Sequence, residues 1–245
     1  MRWLRDQLAV VATAILLTLF LRACVIEPYR IPSESMLPTL HNGDHVFVSK
    51  WVYGVPLPFT AARMRAVREP ERGDVVVFEV GRLGTTIAPR DVRPDLPVER
   101  FVKRVIGLPG DEIARRGGVL WVNGQPADAW PTGEIFVDEA GRRLAGWREE
   151  FDAGGHALLQ DLSVPAADFV LAVPEGRYFM MGDHRDHSSD SRLFGTVPRD
   201  DLIGPVAVVY WSWDFEPDAA SDGRLGRWWR ALGSTRWDRL GETIE

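Results

Sequence analysis

Phe101-Val102-Lys103-Arg104-Val105-Ile106 is the stretch on which the fold turns. Its β-branched and aromatic residues read as a strand, and Gly107-Leu108-Pro109-Gly110 ends it. Period-two alternation puts Lys103 on the face shared by Phe101 and Val105, so an ammonium lies on an apolar stripe. Desolvation disfavours the charged form, and lowering a lysine from about 10.4 to about 8 costs roughly 3 kcal/mol at about 1.36 kcal/mol per unit. A fold bears that cost where a neutral amine is useful; a lysine snorkelling from a strand edge is the alternative.

Similar runs lie on either side: His45-Val46-Phe47-Val48, Asp74-Val75-Val76-Val77-Phe78, Tyr178-Phe179-Met180-Met181 and Val206-Ala207-Val208-Val209-Tyr210-Trp211. Residues 118–122 followed by Asn123-Gly124 read as a hairpin. From about 115 to 173 the chain is looser and richer in Gly, Ala and acidic residues, then returns through Pro174-Glu175-Gly176 to a firm strand. That pattern is expected of a domain inserted within a β core. Helical periodicity is weak, around 61–68 and 225–232. The composition, 45% hydrophobic and 26% charged over 245 residues, is that of ordinary globular material. A net charge of −6 argues against a nucleic-acid partner. The single cysteine, Cys24, excludes an intrachain disulfide and a cysteine-based zinc cage. Trp211, Trp213, Trp228, Trp229 and Trp237 fall among arginines near the C-terminus, where indoles suit either a membrane interface or core packing.

Residues 8–21 (LAVVATAILLTLFL) are uncharged, with Arg2 and Arg5 before them and Arg22 after. Such a run suits a signal-peptide core, whereas extending it over 7–26 reaches membrane-spanning length with Arg22 snorkelling. Leu21-Arg22-Ala23-Cys24 faintly resembles a lipoprotein cleavage box, but the arginine fits it poorly, so an uncleaved anchor is expected. Arginines on both sides leave its orientation open. Beyond it, Tyr29-Arg30-Ile31-Pro32-Ser33-Glu34-Ser35-Met36-Leu37-Pro38-Thr39-Leu40 holds two serines, one spacer apart, in a turn pinned by prolines. Such a bend can present a hydroxyl together with free backbone donors, as ordinary loops also do. A second polar loop, Gly182-Asp183-His184-Arg185-Asp186-His187-Ser188-Ser189-Asp190-Ser191-Arg192, follows an apolar strand directly. His184 and His187 invite a metal reading, but their spacing matches no familiar ligand pattern, and no metal is expected. A Ser-His-Asp triad stays open in principle.

Taken in order, the anchor, the serine turn, Arg72-Gly73-Asp74-Val75-Val76-Val77-Phe78, the Lys103 strand with Gly107-Leu108-Pro109-Gly110-Asp111, and the second loop resemble the sequence boxes of bacterial type I signal peptidase, the Ser/Lys leader peptidase family. The resemblance implies that Ser35 is a nucleophile and Lys103 its neutral general base. It also implies that Ser33 and the Ser35 backbone N–H form the oxyanion hole, and that Ser188 orients the lysine. Tyr29, Ile31, Pro32, Met36, Leu40, Phe101 and Val102 match substrate-binding positions for small residues at −1 and −3 of a precursor (Ala-x-Ala). Arg104, Asp183, Asp190 and Arg192 match structural ion pairs beside the site. Many family members have Gly at Glu34 and Asn at His184 and His187.

The expectation is therefore a mainly β protein with an antiparallel-sheet catalytic core, an inserted β-rich subdomain and one N-terminal transmembrane helix. Its segments would be 1–6 cytoplasmic, 7–26 the anchor, 27–114 and 174–245 the catalytic core, and 115–173 the insertion. The family implies no cofactor. It implies three partners: the signal-peptide region of secreted preproteins, the lipid bilayer and the secretion translocon. Location would be the bacterial cytoplasmic membrane, single-pass, with the N-terminus inside and the catalytic domain outside. Two other readings are a Ser/Lys maturation peptidase of pilus or conjugation type, and a non-enzymatic, membrane-anchored β-rich binding protein.

Overall fold

Alternating apolar runs pair edge to edge when each has a face to bury, and every pairing between named strands of this chain is antiparallel. The computed structural model describes residues 2–54, 65–138, 140–151, 154–214 and 233–244. Its largest sheet runs in the spatial order β1 (Ile26–Arg30), β2 (Asp44–Ser49), β15 (Leu202–Ser212), β3 (Val75–Leu83), β5 (Val98–Gly107), β13 (Arg177–Met181) and β14 (Val197–Pro198), with β4 (Thr86–Ala88) paired to β3.

The centre of this sheet is covered on both faces, which is why β3 reads as an unbroken apolar run. Val76, Phe78 and Val80 pack with Phe101 and Val105 in one core. Val75 and Val77 pack with Val102 and with Ile31, Met36 and Leu40 of the serine turn in another. Register sets Val76 opposite Lys103, Val77 opposite Val102 and Phe78 opposite Phe101. Lys103 therefore stands on the Phe101 face, as alternation predicts.

Between β5 and β13 the chain builds two smaller sheets. β6 (Glu112–Arg116), β7 (Val119–Val122), β8 (Gln125–Pro126) and β12 (Phe169–Ala172) form one, in the order β12, β6, β7, β8. β9 (Asp128–Val137), β10 (Arg143–Phe151) and β11 (Gly154–Gln160) form the other, with β10 central. The β7–β8 turn places Asn123 at φ 51° and Gly124 at φ 76°, left-handed geometry that these two residue types tolerate and hairpins favour.

Elsewhere the structure departs from the expectation. The N-terminal helix α1 covers Arg2–Cys24 and the chain enters β1 at Ile26, so the helix starts and stops earlier than 7–26. Among the described residues no helix is long and apolar enough to cross a membrane. Of the two weak helical readings, residues 65–68 are not helical, while 61–64 and 225–232 lie outside the described residues.

The C-terminal end folds back onto the sheet around one buried carboxylate. Asp44, fully buried at the start of β2, accepts hydrogen bonds from the His41 N–H (2.8 Å), the Ser212 hydroxyl (2.6 Å) and the Arg239 guanidinium (2.9 Å). Removing one partner of a buried charged pair leaves the other uncompensated, so Asp44→Ala is expected to lower unfolding stability by about 3 kcal/mol, read from urea titrations. A loss below about 1 kcal/mol would mean that Arg239 finds water instead.

Candidate active site

The serine turn is held from below. Ile31, Met36 and Leu40 are no more than 2% exposed and sink into the core shared with Val75, Val77 and Val102. Hydrogen bonds from Ile31 N to Asp44 O (2.8 Å) and Gly43 N to Ile31 O (3.0 Å) extend the β1–β2 ladder into it. Bonds from Leu37 N to Glu34 O (3.0 Å) and Leu40 N to Met36 O (2.9 Å) close its bends. With the apolar side chains committed downward, Ser33 and Ser35 face up and out, their hydroxyl oxygens 3.3 Å apart.

Lys103 reaches this turn from β5. Its Nζ lies 2.6 Å from Ser35 Oγ and donates to Val102 O at 2.8 Å, and the residue is only 4% exposed. Burial pushes the amine down from its ordinary value to about 8, opposed by the charges of Asp190 and Asp183 and assisted by Arg192. A neutral amine beside a hydroxyl is a proton acceptor in place.

The polar loop after β13 braces this pair. Arg104, next to Lys103 and 1% exposed, donates through Nε and Nη2 to the two oxygens of Asp183 (2.9 and 2.8 Å) and through Nη1 to Gly73 O (2.6 Å). Thr39 of the serine turn donates to the same carboxylate at 2.5 Å. Burial alone would raise Asp183, but the charge and hydrogen bonds of Arg104 outweigh it and hold the carboxyl below its usual range. Asp190 caps the single-turn helix α2 (Ser191–Phe194), takes a bidentate contact from Arg192 (2.8 and 2.7 Å) and accepts from Gly182 N (3.0 Å). Gly182 has no room for a side chain: an added Cβ would sit 2.5 Å from Ser35 O and 2.3 Å from Ser188 Oγ. The three-stranded sheet supports the loop from its far side through Leu159 N to Asp183 O (2.9 Å), Arg185 N to Leu159 O (2.9 Å) and a buried Arg185–Glu149 ion pair.

A cleft of about 420 Å³ opens over Ser35 and Lys103. Tyr29, Ile31, Pro32, Ser33, Met36, Phe101 and Val102, all singled out in the sequence, line it. Leu40 is fully buried beneath the turn and does not line the cleft. Arg104, Asp183, Asp190 and Arg192 stand behind the wall as the ion pairs described above. Ser188 Oγ is buried and makes no hydrogen bond, so the expected bond to the lysine amine is not formed in this structure.

Sequence reasoning missed Arg142, which reaches the cleft from the start of the three-stranded sheet's central segment and contacts His187 Nδ1 at 2.8 Å while Asp138 holds its Nε at 2.5 Å. Glu34, His184 and His187 line the cleft too. The two rings meet edge to face with centroids 4.8 Å apart. Among the described residues no group of three or more His, Cys, Asp or Glu side chains is placed to hold a metal ion. The signal for the histidines was their place in the loop; nothing local marked Arg142.

Comparison with known proteins bears on this geometry. Residues 4–211 match the family model described as signal peptidase, peptidase S26. The signal peptidase I of Pseudomonas fluorescens is 35% identical over 210 residues, covering 80% of this chain and 69% of that protein. That of Rickettsia typhi is 31% identical over 227 residues, covering 85% and 80%. A crystal structure of a signal peptidase I from Enterococcus faecalis V583 is 28% identical and covers 57% of this chain and 98% of its own, with a TM-score of 0.34, a likeness too loose to bear on the fold.

The buried amine has a consequence for stability. Its folded-state pKa of about 8 lies below the 10.5 of the free group, so between those values the unfolded chain binds more protons and stability rises with pH. Lys103→Met is therefore expected to stabilise the protein by about 3 kcal/mol at neutral pH, the gain vanishing above the ordinary lysine pKa. Equilibrium unfolding of both proteins across that window checks it; a variant less stable than the parent at neutral pH would show that the amine is not desolvated.

Proposed function

The chain belongs to the signal peptidase S26 family, a family of serine peptidases that act on signal peptides, and from that premise we propose that Ser35 is its nucleophile and Lys103 the general base. The observation that carries this reading is the 2.6 Å approach of Lys103 Nζ to Ser35 Oγ by a lysine only 4% exposed. The neutral amine accepts the hydroxyl proton as Oγ attacks the scissile carbonyl, and an Oγ–C bond forms. The Ser33 hydroxyl and the Ser35 N–H receive the oxyanion, aimed before the charge develops. The ammonium then gives its proton to the departing amine of the mature chain, leaving an ester on Ser35. A water molecule, deprotonated by the same lysine, hydrolyses that ester. Ser188 Oγ, without a partner in the free structure, is the proposed acceptor for the amine's remaining N–H.

Substrate choice follows from how little room the wall leaves. Ile31, Met36, Phe101 and Val102 are 2%, 1%, 9% and 6% exposed, so the depressions between them are shallow. Small residues at −1 and −3, as in Ala-x-Ala endings, fit there and larger side chains are excluded by contact. A single membrane anchor with the N-terminus inside is proposed within α1 (Arg2–Cys24), supported by the uncharged run 8–21. The chain passes from α1 through β1 into the serine turn within about a dozen residues, short enough to keep Ser35 near a bilayer surface on the outer side of the cytoplasmic membrane. The bilayer, the translocon and the preprotein emerging from it are its proposed partners.

Ser35→Ala and Lys103→Ala should each lower kcat/KM on a preprotein by at least about a thousandfold. Near-normal cleavage by either would overturn the assignment. For the parent enzyme, kcat/KM should rise tenfold per pH unit in acid and level off near pH 8, where the amine loses its proton. A profile flat from about pH 6 upward would contradict a lysine base. Ile31→Ala should admit residues larger than alanine at −1 or −3, seen by sequencing the products, whereas unchanged selectivity would remove that residue from the pocket.

A further inference from the structure

His184 grips the serine turn at two points. Its backbone N–H donates to Ser35 O at 3.2 Å, and its ring Nδ1 lies 3.3 Å from Glu34 O. A carbonyl oxygen only accepts, so the proton is assigned to Nδ1. We propose that His184 is a positioning residue for the oxyanion hole, holding in place both peptide planes that flank the Ser35 α-carbon. The proposal rests on the reading of Ser35 as nucleophile and of its N–H as oxyanion donor.

In a planar trans peptide the C=O and N–H point in opposite directions, so fixing Glu34 C=O fixes where the Ser35 N–H aims. Fixing Ser35 C=O does the same for the following plane. Only two soft dihedrals, the φ and ψ of Ser35, lie between those planes. With both planes tied to residue 184, the N–H and the Cα–Cβ bond that carries Oγ keep one mutual orientation, and Lys103 holds the Oγ itself. A hydrogen-bond donor preset in this way is worth more in the transition state than one that must reorient.

The grip has a firm mount. His184 is fully buried, and its neighbours Asp183 and Arg185 are bonded through their backbones to Leu159 of β11. Its outer face meets the His187 ring, which Arg142 and Asp161 hold from either side (2.8 and 3.3 Å). The other ring nitrogen, Nε2, is buried without a partner. Leaving such a group unsatisfied costs about 1–3 kcal/mol, an expense that packing alone gives no reason to bear.

Side-chain length makes the test specific. Asn carries its amide nitrogen three bonds from Cα, as His carries Nδ1, while Gln carries it one bond further, at the distance of Nε2. The full chain in detergent is assayed for preprotein cleavage, with kcat, KM and thermal midpoint measured for Ser35→Ala and for His184→Ala, His184→Gln and His184→Asn. His184→Ala and His184→Gln should lose at least about tenfold in kcat with KM little changed, part of the hundredfold or more attached to an oxyanion donor. His184→Asn should recover kcat to within about threefold of the parent. If His184→Ala does not fold, the comparison of Gln with Asn decides. Parent-like kcat in the Ala or Gln variant, or a loss in Asn equal to that in Gln, overturns the positioning role while an inactive Ser35→Ala leaves the nucleophile standing. Activity in Ser35→Ala overturns both.

Discussion

An amine kept out of water beside a serine hydroxyl is the contact to which the surrounding structure answers. Lys103 arrives on an apolar strand face, and that burial brings its amine down to about 8, so a neutral fraction with a free lone pair exists near neutral pH where an exposed lysine has almost none. That placement needs β3 against one edge of β5 and β13 against the other, with Val76 and Phe78 filling the face around the lysine stem. It also needs the serine turn to sit over Nζ at hydrogen-bonding distance. The apolar residues Ile31, Met36 and Leu40 secure this by plugging the turn into the core on the other face. Core packing and site geometry are thus set by the same residues.

A buried amine tolerates few charges at arbitrary places, and the loop after β13 shows how they are managed. Arg104, Asp183, Asp190 and Arg192 are paired by bidentate contacts, so the carboxylates near Lys103 are largely spent on guanidinium groups. They still pull the amine upward, but burial dominates. Replacing a pair of this kind by apolar residues is often tolerated by a fold, whereas breaking one half is not. Its value here is orientation: Asp183 joins the strand carrying Lys103 to Thr39 of the turn carrying Ser35. The three-stranded sheet adds a third anchor through Leu159 and Glu149.

The main sheet was largely legible in the sequence, because strands buried on both faces write themselves as β-branched runs and Lys103 broke the run on one parity. The bend at Ser33 and Ser35 was legible from its prolines. Other features are set by how separate elements face one another, which no local period records. Leu40 matched a pocket position but lies beneath the turn, since the bend from Met36 to Leu40 rotates it into the core. Arg142 stands more than a hundred residues from Ser35 in the chain and enters the cleft only through the fold of the inserted strands. The bond anticipated between Ser188 and the lysine is absent, and the amine donates instead to the adjacent Val102 carbonyl. The end of α1 falls short of Ile26 because Ile26, as apolar as the helix but β-branched, begins β1 and pairs with Ser49 of β2.

The protonation of Lys103 can be observed without reference to any substrate. With lysine labelled at Cε by carbon-13 and the Lys103 resonance assigned by its loss in Lys103→Met, a pH titration followed by NMR reads the amine directly. The account predicts a midpoint close to 8. A midpoint near the ordinary lysine value of about 10.4 would contradict it, leaving Ser35 beside a permanent cation rather than a base.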